Sequence, residues 1–132
     1  RRIEFLANAI DRFRLQRVSV EKTTAETAGR RQHRESAATV TIRAVAPPIT
    51  ALELGVPLLK IGGKLLIYAG RQAAPSEHEL EVAHLLGGAL VEASVVPVPY
   101  LAAVRHAWWF EKRKATPEEY PRRAKLASKH PL

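Results

Sequence analysis

No cysteine occurs anywhere in the 132 residues, which excludes disulfide staples, thiolate catalysis and thiolate zinc sites and suits a reducing compartment. Long apolar runs are missing as well. The stretch from Ala44 to Leu59 is broken by Pro47, Pro48 and Pro57, and residues 65–69 are few against the roughly 20 apolar residues that a membrane span requires. The expectation is a soluble protein of the cytoplasm with no membrane partner. Neither an initiator Met nor a signal-peptide pattern precedes Arg1-Arg2-Ile3, as though the chain began inside a folded element. The histidines, His33, His78, His84, His106 and His130, are scattered, and no pair has a metal-ligand spacing with further ligands nearby, so no metal is expected.

What is present points to one globular core. A chain with 46% apolar and 26% charged residues can bury a single hydrophobic unit of this size. Its 21 Lys and Arg outnumber 13 Asp and Glu, giving a net charge of +8 and a pI of 10.3. Such a surplus favours polyanionic partners, nucleic acid or an anionic membrane surface, and charge alone does not choose between them.

Ile3, Leu6, Ile10 and Phe13 recur at helical spacing, with Arg2, Glu4, Asp11, Arg12 and Arg14 on the opposite side, and predict a helix over 2–15. Residues 17–21 alternate like a short strand, and 23–36 form a polar loop or short helix. Residues 38–46 are β-branched and apolar enough for a strand buried on both faces. Pro47-Pro48 stops it, and 49–54 can form a short helix whose first turn tolerates Pro48. Gly62-Gly63 predicts a turn into a strand over 64–69. Ser76 and Glu79 have capping-box spacing ahead of Leu80, Ala83 and Leu86, with Gly87 as a stop, so 77–86 is predicted helical.

Two further strands are expected over 89–96 and 104–113, separated by Pro97-Val98-Pro99. Within the second, Trp108 and Trp109 must point to opposite faces, so only one can join the same side of the core. Alternating strands and helices imply an α/β fold with a largely parallel sheet, the last two strands being antiparallel neighbours. Residues 115–132 read as a basic tail without period, following a main unit over 1–114.

Three ordered sets of motifs carry a resemblance. Ile42-Arg43-Ala44-Val45-Ala46-Pro47 is followed by Pro57-Leu58-Leu59-Lys60-Ile61-Gly62-Gly63; Thr23-Thr24-Ala25-Glu26 is followed by Gln32-His33-Arg34-Glu35. The terminus holds Thr116-Pro117-Glu118-Glu119-Tyr120-Pro121-Arg122-Arg123 and then Lys129-His130-Pro131-Leu132. Together these resemble the later portion of the bacterial ribosomal RNA guanine-N7 methyltransferase G family, also called glucose-inhibited division protein B, with the glutamine-histidine segment similar to cyanobacterial members. The resemblance implies a Rossmann-like methyltransferase sheet, S-adenosylmethionine as cofactor, and small-subunit (16S) ribosomal RNA as the partner methylated on guanosine N7.

It further implies that Ala25 and Glu26 lie beside the cofactor's adenine and that Arg43, at a strand's carboxyl end, lies at the ligand crevice. Judged from the residues alone, Glu26 reads as a solvated loop carboxylate and Arg43 equally as a strand-end salt bridge. Seven basic residues against two acidic ones in 112–132 supply five of the eight net positive charges, so Lys112, Arg122, Arg123 and Lys129, together with Arg105, are expected to contact RNA backbone. Tyr120 suits either stacking on an unpaired base or anchoring the tail. Where the family usually carries Lys before the glycine of Ile67-Tyr68-Ala69-Gly70, this chain has Ala69, and Arg71 is the nearest substitute.

No catalytic residue is assigned, because guanine N7 already carries a lone pair and positioning supplies much of the barrier reduction. The family's glycine-rich first motif and acidic second-strand end have no counterpart here, since Gly62-Gly63 and Gly87-Gly88 follow no Gly-x-Gly pattern after a strand. The expectation is therefore an N-terminally truncated methyltransferase sheet with half its cofactor site, open to association through an exposed strand edge. The alternative is a non-catalytic basic module for RNA binding or ribosome assembly that keeps the fold without the chemistry.

Overall fold

The computed structural model describes residues 1–100, 102–123 and 125–132. In chain order it contains α1 (Arg2–Arg12), α2 (Ala25–Arg30), β1 (Ala37–Ile42), α3 (Pro48–Gly55), a 3-10 turn over Val56–Leu58, β2 (Leu59–Gly70), α4 (Glu77–Leu85), β3 (Gly88–Val96), β4 (Arg105–Lys112) and α5 (Leu126–Lys129). The strands form one sheet in the order β1-β2-β4-β3, with β1 parallel to β2 and β4 antiparallel to both of its neighbours. That order matches the 4-5-7-6 portion of the strand order 3-2-1-4-5-7-6 that the resemblance implies.

Register sets the core. Ile42 pairs with Ile67 and Ile67 with Trp108, while Leu65 pairs with Phe110, so these side chains line one face of the sheet. Against it pack Ala51, Leu52 and Val56 from α3 and the following turn, and Val82, Ala83 and Leu86 from α4 and its end. Trp108 is fully buried there, while Trp109 faces the opposite side across from Leu66 and is half-buried, as the alternation of a strand requires. The α4 capping box forms as expected: the Ser76 amide donates to Glu79 Oε2 at 2.6 Å and the Glu79 amide to Ser76 Oγ at 3.3 Å. Gly87 follows at φ 92°, a left-handed conformation, and a Cβ there would collide with the Lys114 carbonyl oxygen.

Several expectations are corrected. Residues 17–21 form no strand: a strand persists only when a ladder partner satisfies its backbone, and none of the described strands offers them one. The strand expected over 38–46 ends at Ile42, and only Ile42 in it is buried, because β1 is the sheet edge and the helices cover one face only. Its outer edge is unpaired among the described residues. Gly62-Gly63 makes no turn but lies within β2, where the pairing with β1 slips between Ala37 and Thr39 and Gly62 adopts φ 81°. The first helix stops at Arg12, and none of its residues is buried; Phe5 and Phe13 stay exposed.

The largest revision concerns residues 115–132, which run as a strap across the helical side. Thr116, Pro121 and Ala127 are buried, and α5 packs on α3, whose Thr50 hydroxyl donates to the Ala127 carbonyl at 2.9 Å. Arg34 donates to the carbonyls of Tyr120 (2.7 Å) and Thr116 (2.8 Å), and Arg30 to that of Pro121 (2.7 Å). Gly29 lets Pro121 close in, since a Cβ would stand 3.2 Å from the proline ring. Tyr120 is partly buried and packs against the core.

Two charged clusters fasten this strap. Glu53 on α3 is fully buried, and its carboxylate accepts from the Arg122 amide (2.8 Å), Nε (2.9 Å) and terminal nitrogen (2.6 Å). Lys112 is also fully buried, and its ammonium donates to Glu35 (2.8 Å), the Thr116 hydroxyl (2.7 Å) and the Val56 carbonyl (3.2 Å). An ammonium has three protons to donate, and all three are placed. Burial pushes the Lys112 pKa down against the pull of Glu35. Burial opposes ionisation of Glu35, but the Lys112 and Thr116 hydrogen bonds and the charges of Lys112 and Arg34 outweigh it and hold its carboxyl below the usual range.

Candidate functional site

Because β1, β2 and β3 run the same way and β4 runs against them, three carboxyl ends and the start of β4 meet at one end of the sheet. Open α/β sheets bind ligands at that end. Here lies a cleft of about 570 Å³, bounded by Arg43, Ala44, Ala46 and Pro48 after β1, by Ile67 to Gly70 and Gln72 around the end of β2, by Val96 and Val98 after β3, and by Arg105 and His106 at the start of β4. Its volume falls in the range of small-molecule sites.

Local backbone explains why these groups converge. Ala44 has φ 53°, uncommon for a residue with a side chain, and this places the Arg43-to-Ala46 turn across the cleft mouth before Pro47 and Pro48 start α3. On β4, His106 stands opposite Gly70 of β2, which has φ 65° and open space where a Cβ would be. His106 Nδ1 is shielded from water yet has no hydrogen-bond partner among the described residues. Leaving such an atom unpaired costs about 1–3 kcal/mol. Unsatisfied buried polar atoms at a cleft wall call for an explanation, and a bound partner is one.

The residues expected at the site separate into three groups. Arg43 and Arg105 share the cleft. Ala25 and Glu26 do not line it: Ala25 opens α2 behind the Thr24 cap, and Glu26 borders a second hollow of about 410 Å³ with Thr27, Arg30, Arg31 and Arg123. Burial disfavours the charge on Glu26, but hydrogen bonds from its own amide, the Lys125 amide and the Thr24 hydroxyl lower its pKa overall. Lys112 and Arg122, expected on RNA, are corrected to structural ions, since the one is sealed in the core and the other is committed to Glu53. Arg123 and Lys129 remain exposed.

Tyr68 and His106 were not singled out from sequence. The position of His106 at a strand start becomes meaningful once β4 is known to run against β2. Arg71 does not line the cleft, so it does not replace the cation that Ala69 lacks there. Chemically, the cleft offers an aromatic side chain, two guanidinium groups and an unpaired imidazole on a mostly aliphatic wall. It holds no carboxylate, so the ammonium of S-adenosylmethionine finds no charged partner among these lining residues. An anionic, flat guest such as a nucleotide fits the donors better.

Comparison with known proteins agrees with this fold. Residues 1–97 match the family model described as rRNA small subunit methyltransferase G. Among curated relatives, Ribosomal RNA small subunit methyltransferase G of Synechococcus elongatus is 37% identical over 100% of this chain and 55% of its own length. Its Staphylococcus aureus counterpart is 36% identical over 100% of this chain and 56% of its own. The chain thus spans about half the length of the curated relatives it matches. M. jannaschii TYW2, solved in complex with AdoMet, superposes with a TM-score of 0.58 at 19% identity, covering 83% of this chain and 53% of that one, which supports the Rossmann-like methyltransferase fold.

Proposed function

The chain belongs to the rRNA small subunit methyltransferase G family, and from that premise we propose that the protein methylates N7 of a guanosine in small-subunit ribosomal RNA, this chain supplying the acceptor side of the site. The observation that carries the reading is the cleft at the carboxyl ends of β1 and β2, where Arg43, Arg105 and the unpartnered His106 meet.

S-adenosylmethionine supplies an electrophilic methyl group in this reading. Ala25 and Glu26 are its proposed partners on this chain, beside the adenine. Arg43 faces an anionic group at the cleft mouth. Guanine N7 forms the new bond through its own lone pair, so no general base is required, and the chain's contribution is to hold the acceptor still and exclude water. Arg105, with Arg123 and Lys129 on the exposed surface, meets phosphate, a contact that fixes register without reading sequence.

The test is transfer of labelled methyl from S-adenosylmethionine to small-subunit ribosomal RNA by the full-length protein, with the modified atom mapped. Label on guanine N7 is the expected result, and label on another atom or none overturns the reading. A second reading, a non-catalytic RNA-binding module, is favoured by the lack of a carboxylate in the cleft. Calorimetric titration separates the two: S-adenosylmethionine binding by the full-length protein supports the enzyme, and RNA binding without it supports the module.

A further inference from the structure

The inference rests on the acceptor-side reading above and concerns how the cleft selects its base. We propose that the His106 imidazole reads the target guanine by accepting a hydrogen bond from its N1–H, while Arg43 and Arg105 hold the flanking phosphates.

His106 is suited to this by position. It is the second residue of β4, with Gly70 and Val95 as its cross-strand neighbours, so its direct partner on β2 contributes no side chain. Its Nδ1 lacks a partner, and neither ring nitrogen takes part in a described hydrogen bond. The second torsion of a histidine side chain is broad and two-fold, so turning the ring presents Nδ1 to the cleft without moving the strand.

The chemistry favours an acceptor on that edge. The unprotonated nitrogen of a neutral imidazole can accept from guanine N1–H, a donor that 1-methylguanine lacks. The contact also leaves the N7 side of the base open to the methyl donor. As N7 gains the methyl group, positive charge spreads over the purine and N1–H becomes a stronger donor. The bond to His106 therefore tightens in the transition state, where tightening accelerates the reaction. A guanidinium on the same edge would oppose that charge, which assigns the arginines to phosphate.

Competition binding with the full-length protein tests this, using a short single-stranded RNA with one guanosine against the same RNA carrying 1-methylguanosine. The wild-type protein should prefer guanosine by roughly tenfold to a hundredfold. His106→Ala should erase the preference without weakening binding of the 1-methyl RNA, and His106→Gln, whose amide oxygen also accepts, should restore part of it. Melting temperatures of both variants check that the fold is kept. Preference retained in His106→Ala or lost in neither variant overturns the role of His106 while leaving the acceptor cleft standing. A wild-type protein with no preference and no methyl transfer to ribosomal RNA overturns the underlying reading, and this inference with it.

Discussion

The strap over residues 115–132 and the cleft at the sheet's carboxyl end are both rich in cations, yet they use them oppositely. In the strap, Arg122 and the neighbouring Lys112 are locked to Glu53 and Glu35. Around the cleft, Arg43 and Arg105 have no carboxylate among the lining residues. A positive charge paired inside the protein contributes to the fold, and one left facing a hollow is available to a ligand. Basic composition alone cannot separate these fates, because both kinds of residue count equally toward the net charge of +8.

The sharpest way to break this comparison is Arg122→Ala. It strands the Glu53 carboxylate, which is fully buried, and removing one member of a buried pair costs about 3–5 kcal/mol. Denaturant unfolding should show that loss together with release of the strap, and Arg122→Lys should not rescue it, since Nε and a terminal nitrogen both bond Glu53. A loss below about 1 kcal/mol would remove the structural assignment of Arg122.

Glu35→Gln should act in the same direction but less strongly, at about 2 kcal/mol, because Glu35 is partly exposed while Lys112 is not. Adding Lys112→Met to it should recover part of the loss. The carboxyl of Glu35 is lowered in the folded protein, so the unfolded chain binds more protons in the interval between the two pKa values. Its stabilisation is complete above the unfolded value of about 4.3 and is lost as pH falls through the folded value. The gap in melting temperature between wild type and Glu35→Gln should thus narrow on acidification from pH 7 to pH 3. A gap that widens would contradict the ion pair.

How much of this was legible in sequence follows from how far each feature reaches along the chain. The capping box of α4 depends on Ser76 and Glu79, three residues apart, and was readable at once. Trp108 and Trp109 were assigned to opposite faces by strand geometry alone. Lys112 could not be placed, since its partners Glu35, Thr116 and Val56 come from three separate segments. The resemblance at Thr116 to Arg123 was recognisable, but its meaning was architectural: Thr116 caps the Leu86 carbonyl at 2.8 Å and Arg122 closes on Glu53. Likewise Gln32-His33-Arg34-Glu35 supplies two grips on that strap, Arg34 on its carbonyls and Glu35 on Lys112 and the Thr116 amide. His106 acquired significance only from the antiparallel placement of β4.

The smallest effect on stability, and the most informative about function, belongs to Arg43→Ala and Arg105→Ala. Neither guanidinium forms a described salt bridge, and surface substitutions away from buried features change stability by no more than about 0.5 kcal/mol. If both meet phosphate, each substitution should weaken RNA binding to a similar degree across sequences and reduce the salt dependence, the slope of log affinity against log salt, by about one. Arg122→Ala, measured under conditions where it stays folded, should leave that slope unchanged, because its charge is already neutralised by Glu53 within the protein. Equal slopes for wild type and the two cleft variants would return Arg43 and Arg105 to the class of ordinary solvated charges, and the distinction between strap and cleft would then describe stability alone.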